Sequence, residues 1–245
     1  MSTPSLHSII RDKYNSRPDI WLADDTWHVY TYERLIEVVQ RFAEAAEITT
    51  KIVLNLGSGG NDYGVKAAKL LHFDLAELRL PRFGMSVVGT AESLPFKNEA
   101  FDTVLFVGTV LNYCDAVAAI SEMARVLKPG GHVLLEFESS AAAEYLWRSE
   151  FGKASAFVTT TFQGGPEVLW LYNPSYIMGL LKTLGISIVQ DEGFHVVTGL
   201  IYRVTRDDRL AARFANLDRL ISRFRPLRKL ASNRVFFAQK RLQGN

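Results

Sequence analysis

The chain has 245 residues, 48% apolar and 22% charged, an ordinary composition for a globular protein and enough length for one α/β domain with additions. No apolar run approaches the roughly 20 residues that span a bilayer, and the charged N-terminal stretch lacks the apolar core of a secretory signal, so a cytoplasmic protein is the simplest reading. The single cysteine, Cys114, excludes an internal disulfide and a cysteine-based zinc site, and the net charge of +2 conceals a basic C-terminal segment, Arg203–Arg241, with twelve Lys/Arg against three Asp.

Taken in chain order, the first element is a helix over Tyr32–Ala46, with an apolar stripe at Leu35, Ile36, Val39, Phe42 and Ala46 and Thr31 as its N-cap. Trp21, Trp27 and Tyr30 precede it and either line a pocket or simply pack. The start Thr31-Tyr32 with Leu35 also resembles adenylate-forming ligases, but no phosphate loop follows. Next comes Lys51–Gly60, KIVLNLGSGG, an apolar run that stops in a glycine turn, as a buried parallel strand does. Glycines there let the backbone approach a ligand that side chains would push away. The following apolar run, Leu70–Phe73, ends in Asp74, where a carboxylate is placed to take both hydroxyls of a ribose. Only nine residues, NDYGVKAAK, separate turn from strand, too few for a multi-turn helix. The short connection leaves Asn61, Asp62 and Tyr63 exposed near the site, either as ligand contacts or as turn formers.

Ser86–Val88 is a third short strand and Phe101–Val107 a fourth, buried one. Gly108–Tyr113 is the loop beyond it. An amphipathic helix over Ala116–Leu127 ends at Lys128-Pro129-Gly130-Gly131, and His132–Phe137 is the next strand. Gly152–Val168 shows no period and reads as a mobile lid over a substrate. A helix over Pro174–Leu184 leads to a strand at Ile186–Val189, and the last strand is Arg234–Gln239. Before it, Leu210, Phe214, Leu217, Ile221 and Phe224 fall on one face of a predicted helix whose other faces carry arginines. Such a basic amphipathic helix either packs on the domain or contacts a membrane or lipid-linked substrate. A nucleic-acid partner is not expected, because no basic groove interleaved with aromatics accompanies it.

The strand-turn VLNLGSGG, Asp74, the segment AESLPF, the strand FDTVLF and the strand entry RVLKPGGHVLLEF together resemble the core of class I S-adenosylmethionine (SAM) dependent methyltransferases, in the group that includes quinone-biosynthesis methyltransferases. The resemblance spans roughly Lys51–Phe137. It implies a Rossmann-like α/β fold, with a seven-stranded mixed sheet whose last strand is antiparallel and helices on both faces. To this are added a shortened first crossover, a helical N-terminal cap (1–50) and a basic helical insertion (206–232) within a domain of 51–245. It implies SAM as cofactor, with no metal. Asn55, Gly57, Ser58, Gly59 and Asn61 would surround the methionine end and Asp74 with Leu75 the ribose. Thr90, Ala91 and Glu92 would hold the adenine, and Val107 and Gly108 would flank the sulfonium. Three positions depart from the family, and one of them is Asn61, which sits where a third glycine is common. Asn55 replaces an acid that attracts the methionine ammonium, and Thr90 replaces an Asp that pairs with adenine.

Methyl transfer needs positioning and exclusion of water rather than a nucleophile or a triad, although an oxygen or nitrogen acceptor needs a base within reach. His195 is the leading candidate, with Asn112 and Tyr113 on the loop beside the acceptor and Glu138 and Tyr172 as weaker choices. The expected function is methylation of a small molecule, lipid-like or natural-product in character. The alternative is a repurposed relative that keeps the fold as a partner subunit or a SAM-independent enzyme.

Overall fold

Strand β1 (Ile52–Leu56) is too apolar to leave either face in water. In the computed structural model, which describes residues 6–17, 21, 25–162 and 165–242, it lies inside a seven-stranded sheet. The other strands of that sheet are β2 (Lys69–Asp74), β3 (Met85–Val88), β4 (Phe101–Phe106), β5 (Leu127–Glu138), β8 (Ile186–Phe194) and β9 (Asn233–Lys240). Their order is β3-β2-β1-β4-β5-β9-β8; the first five run parallel, and β9 is antiparallel to both neighbours. This is the expected mixed sheet.

Residues alternate between two cores. Val53, Leu105 and Leu134 face α2 (Thr26–Ala45), which contributes Leu35, Val38, Val39 and Phe42. Leu54, Val104, Phe106 and Leu135 face the other way, against Ile120 and Met123 of α3 (Ala116–Val126) and Ile177 and Leu181 of α4 (Pro174–Thr183). Each such side chain taken out of water stabilises the fold by about 1.5–3 kcal/mol.

Four expectations need correction. Helix α2 begins at Thr26, not after Thr31, because Asp25 is its N-cap and accepts from the His28 backbone N–H at 3.0 Å. The first helical turns escape the apolar stripe because Trp27 and His28 face a cavity rather than the core. Between β1 and β2 no helix forms, as expected. Asn61 and Asp62 make local turns onto the N–H groups of Tyr63 and Gly64. Tyr63, however, is buried rather than exposed, because its ring packs beside Tyr32 of α2.

The expected lid is a hairpin. Strands β6 (Ser155–Phe162) and β7 (Gly165–Tyr172) pair from Ser155↔Tyr172 to Phe162↔Gly165, and Ala156, Leu169 and Leu171 pack on Ala142 and Tyr145. The threonine run suits an extended strand, and Phe157 on the exposed side next to buried Ala156 breaks the alternation that a half-covered strand otherwise shows. Gln163 and Gly164 of that stretch, and residues 1–5, 18–20 and 22–24 of the expected cap, lie outside the described residues.

The basic segment is also not one helix. After α5 (Val197–Thr205) it folds as α6 (Asp208–Ala212), α7 (Ala215–Ile221) and α8 (Arg225–Arg228). Across α6–α8 the buried residues are Ala211, Asp218 and Ser222, whereas Phe214, Leu217, Leu220, Phe224 and Leu227 are each between 39% and 55% exposed. Asp218 sets this orientation. Its carboxylate accepts from the Tyr30 hydroxyl and the His195 N–H at 2.8 Å and from the Val197 N–H at 2.7 Å. With that many donors the buried carboxylate escapes the desolvation cost that otherwise keeps an acid at the surface. Beside it Arg219 pairs with Glu33 and Glu37 of α2.

Ahead of the sheet, α1 (Leu6–Asn15) lies across the C-terminal ends of the strands. It is tied on one side through Asn15, which accepts from the Leu78 N–H, and His7, which pairs with Glu92 at 2.7 Å. On the other side Tyr14 reaches Tyr113 at 2.9 Å.

Candidate functional site

At the end of β1 the chain turns back through Gly57–Gly60, and the N–H groups of Gly57 and Ser58 donate to the Phe73 carbonyl at 2.7 and 3.1 Å. Gly57 has φ +71°, and a Cβ there would stand 2.3 Å from Val110. Gly60 has φ +81°, with the Arg79 carbonyl 2.2 Å from its would-be Cβ. Only glycine fits either position. Asp74, ending β2, accepts from the Gly59 N–H at 2.7 Å and the Ala76 N–H at 2.8 Å. These two bonds use about half of a carboxylate's accepting capacity and leave the remainder for a ligand. Burial pushes the Asp74 carboxyl up, and the backbone N–H groups oppose that shift.

The turn opens into a cavity of about 430 Å³, within the range that holds small ligands. Gly57, Ser58, Gly59, Asn61, Asp74 and Leu75 line it from one side. Thr90, Ala91, Gly108 and Tyr113 continue the wall, and Trp21, Trp27 and Tyr32 roof it with α1.

Several residues singled out from the sequence do not line this cavity. Asn55 is buried, and its amide donates to the Asn61 carbonyl at 2.7 Å, shaping the loop. Val107 is buried in the core behind Gly108. Glu92 accepts from the Asp115 N–H and pairs with His7, on a neighbouring cleft. Asn112 is fully buried; its amide donates to the carbonyls of Glu138 and Trp170 at 3.0 and 2.6 Å and accepts from the Glu138 N–H at 2.9 Å. It fastens the β4 loop to β5 and β7. His195, the expected base, is walled off. Its ring nitrogens meet the hydroxyls of Thr31 and Thr198 at 2.8 and 2.7 Å, and its ring stacks 3.8 Å behind Trp27. Burial holds its pKa well below the usual histidine range. Tyr172 is buried too and donates to the Cys114 carbonyl, and Tyr30 is held by Asp218.

The structure brings other groups together instead. Buried Glu136 accepts from the N–H groups of Gly108 and Thr109 at 2.8 and 2.7 Å and from the Asn233 amide at 2.6 Å, which fixes the loop after β4. Tyr113 donates to Glu167 of β7, and Glu167 also pairs with Lys13 of α1. Burial lowers the Lys13 pKa against the pull of Glu167, and raises that of the Tyr113 hydroxyl. Glu138 lines the cavity at the end of β5. Asn112 holds its backbone, while its carboxyl has no hydrogen-bonding partner among the described residues. Burial, with Glu144, Glu167 and Glu136 nearby, holds it well above the usual carboxylate range. Lys13, Tyr14 and Glu167 escape sequence reasoning because Glu167 lies 154 residues after Lys13. The one available signal is an acid at Glu167 inside the apolar strand GPEVLWLY.

The glycine turn, the acid after the second strand and the strand order define a class I methyltransferase fold. Residues 55–135 match the methyltransferase domain family. It is 39% identical over 82 residues to a demethylmenaquinone methyltransferase of Mycolicibacterium paratuberculosis, covering 30% of this chain and 34% of the relative. The chain thus matches only about a third of that relative's length. Magnesium protoporphyrin IX methyltransferase from Synechocystis, solved with SAM, superposes with a TM-score of 0.59 at 14% identity, over 98% of this chain and 99% of that one. The [4+2]-cyclase SpnF superposes with a TM-score of 0.55 at 16% identity, over 85% of this chain and 81% of that one. At such identities these structures share the fold.

Proposed function

We propose that the chain is a SAM-dependent methyltransferase acting on a small, largely apolar molecule. The observation that carries this is the Asp74 carboxylate, fixed by the Gly59 N–H in a cavity that continues past the glycine turn into an aromatic chamber. The residues present fit the cofactor. Gly57 and Gly60 leave space that a Cβ would fill, Asp74 keeps accepting capacity for ribose hydroxyls, and Thr90 and Ala91 stand where the adenine would lie. Asp74 ends β2 and Glu138 ends β5, three strand spacings or about 14 Å apart along the sheet edge. That distance separates a nucleoside end from an acceptor end. Bound SAM supplies a methyl group on a sulfonium whose sulfur keeps the C–S electron pair and leaves as a neutral thioether. The protein's part is to orient the acceptor and keep water out, which α1 and the Tyr32–Trp21 stack over the cavity serve.

Calorimetric titration with S-adenosylhomocysteine, on the intact chain and on Asp74→Ala, tests the reading. Micromolar binding that weakens by about 100-fold in the variant supports it, since a hydrogen-bonded charge contributes about 1.5–3 kcal/mol. No binding by the intact chain favours a repurposed relative, the reading to which Asn55 and Thr90 point and for which the cyclase shows that this fold has room.

The exposed apolar residues of 206–232 favour a second role for that segment, contact with an anionic membrane or a lipid-borne acceptor. Phe214, Leu217, Leu220, Phe224 and Leu227 face outward among Arg209, Arg213, Arg223 and Arg225. Among the described residues no helix is long and apolar enough to cross a membrane. Sedimentation with vesicles containing anionic phospholipid should carry the chain down and leave a Leu217→Ser/Leu220→Ser/Phe224→Ser variant in solution. Equal sedimentation of both would remove the idea.

A further inference from the structure

The far end of the cavity, beyond the β4 loop, is built from carboxyls and phenols. Glu138 presents a carboxyl with no hydrogen-bonding partner among the described residues, and Glu167 and Tyr113 stand on the same wall with Tyr14. Every cationic or potentially cationic side chain that lines the cavity is already engaged. His28 pairs with Asp25 and His7 with Glu92, and Lys13, which lies outside the cavity lining, pairs with Glu167. Arg79 donates to the Arg17 carbonyl and lies beside Asp74, at the nucleoside end.

An anionic acceptor entering here would lose its water and find no cation, with three further carboxylates close to Glu138. A buried charge left unpaired costs several kcal/mol, far more than an unpaired neutral hydroxyl. The opposite holds for a molecule that offers a hydrogen. The Glu138 carboxyl has accepting capacity and no partner, so a hydroxyl or N–H satisfies both groups at once. The Asn112 bonds to the Glu138 backbone keep that carboxyl in place while the ligand changes.

We propose that the acceptor is a neutral molecule that presents a hydroxyl or N–H to Glu138, and that carboxylate-bearing molecules of the same shape are excluded. This rests on the methyltransferase reading, and it deepens that reading by naming the acceptor class and the group that recognises it.

The test uses the whole chain saturated with S-adenosylhomocysteine and three flat probes of one size, 2-naphthol, 2-methoxynaphthalene and 2-naphthoate. Calorimetry should find 2-naphthol bound at least tenfold more tightly than 2-naphthoate, with 2-methoxynaphthalene between them. In Glu138→Gln the gap between naphthol and naphthoate should narrow to about threefold or less while S-adenosylhomocysteine binding is kept. If Glu138→Gln does not hold S-adenosylhomocysteine, Glu167→Gln takes its place with the same expectation. Naphthoate binding as well as naphthol, a gap unchanged in the variant, or no binding of any probe overturns the proposal. S-adenosylhomocysteine binding, measured first, reports separately on the methyltransferase reading.

Discussion

The two ends of the cavity are made of different material. The end proposed for the nucleoside is backbone: glycine N–H groups, a strand carbonyl and one carboxylate, all drawn from 18 consecutive residues, Gly57–Asp74. The end proposed for the acceptor is side chain: Tyr14 from α1, Tyr113 from the β4 loop, Glu138 from β5 and Glu167 from β7, with Lys13 pairing with Glu167 behind them. A backbone site tolerates substitution only where a side chain does not matter. A side-chain site can be rewritten one residue at a time, which is how one fold serves many chemistries.

The sharpest way to break the comparison is at Gly57. Its φ of +71° and the Val110 methyls 2.3 Å from a new Cβ mean that Gly57→Ala must move the turn. The left-handed conformation alone costs an alanine about 1–2 kcal/mol, before the overlap is relieved. S-adenosylhomocysteine affinity should fall more than 100-fold, and Val110→Ala in the same chain should restore part of it. Affinity within threefold of the intact chain would show that the turn is not the binding surface.

Next in size is Asn112→Ala. Three hydrogen bonds to Glu138 and Trp170 are lost, two of them leaving carbonyls bare in the interior. The unfolding free energy from denaturant titration should drop by about 2–4 kcal/mol. Unchanged stability would show that the side chain serves the ligand instead.

These two residues also show what is legible in the sequence. Gly57 and Asp74 are readable because the chain places them at the ends of adjacent parallel strands, where local pattern dictates position. The seven-stranded sheet is readable for the same reason, since each central strand is an apolar run with a clear stop. The β6–β7 hairpin, the three-part basic segment and the place of His195 are not. Each depends on a partner far away: Ala142 and Tyr145 for the hairpin, and Tyr30 for Asp218. A histidine at the right edge of the sheet reads as a base until Trp27 is seen to lie between it and the cavity.

That burial has its own consequence with pH. His195 is held neutral, its pKa well below the 6.5 of a free histidine. In the unfolded chain it takes up a proton below about pH 6.5, and the folded chain does not. Its contribution to stability is therefore complete above that pH and declines as pH falls, by up to about 1.4 kcal/mol per unit. Glu144 acts in the opposite sense, because its carboxyl is pushed up from 4.5 to about 7, and stability falls as pH rises through that window. The two slopes overlap, so the difference between chains is the measurement. Melting temperatures from pH 7.5 to 5 should fall less steeply for His195→Gln than for the intact chain. Parallel curves would place the proton elsewhere.

The smallest effect distinguishes the two sides on which α1 is tied down. At the nucleoside side the His7–Glu92 pair is 41% exposed at the histidine, and pairs in such surroundings contribute about 0–1 kcal/mol. At the acceptor side the Tyr14 hydroxyl donates to Tyr113 inside the cavity wall, a bond worth about 1 kcal/mol net. Both hold the same helix, so amide hydrogen exchange across Leu6–Asn15 reads both on one scale. Tyr14→Phe should speed it about fivefold and His7→Ala by less than twofold. If the order reversed, α1 would be anchored from the nucleoside side, and closing the cavity would depend on the cofactor rather than on the acceptor. The present geometry argues the other way, because the partly buried Lys13 and Tyr14 of α1 both meet the proposed acceptor wall.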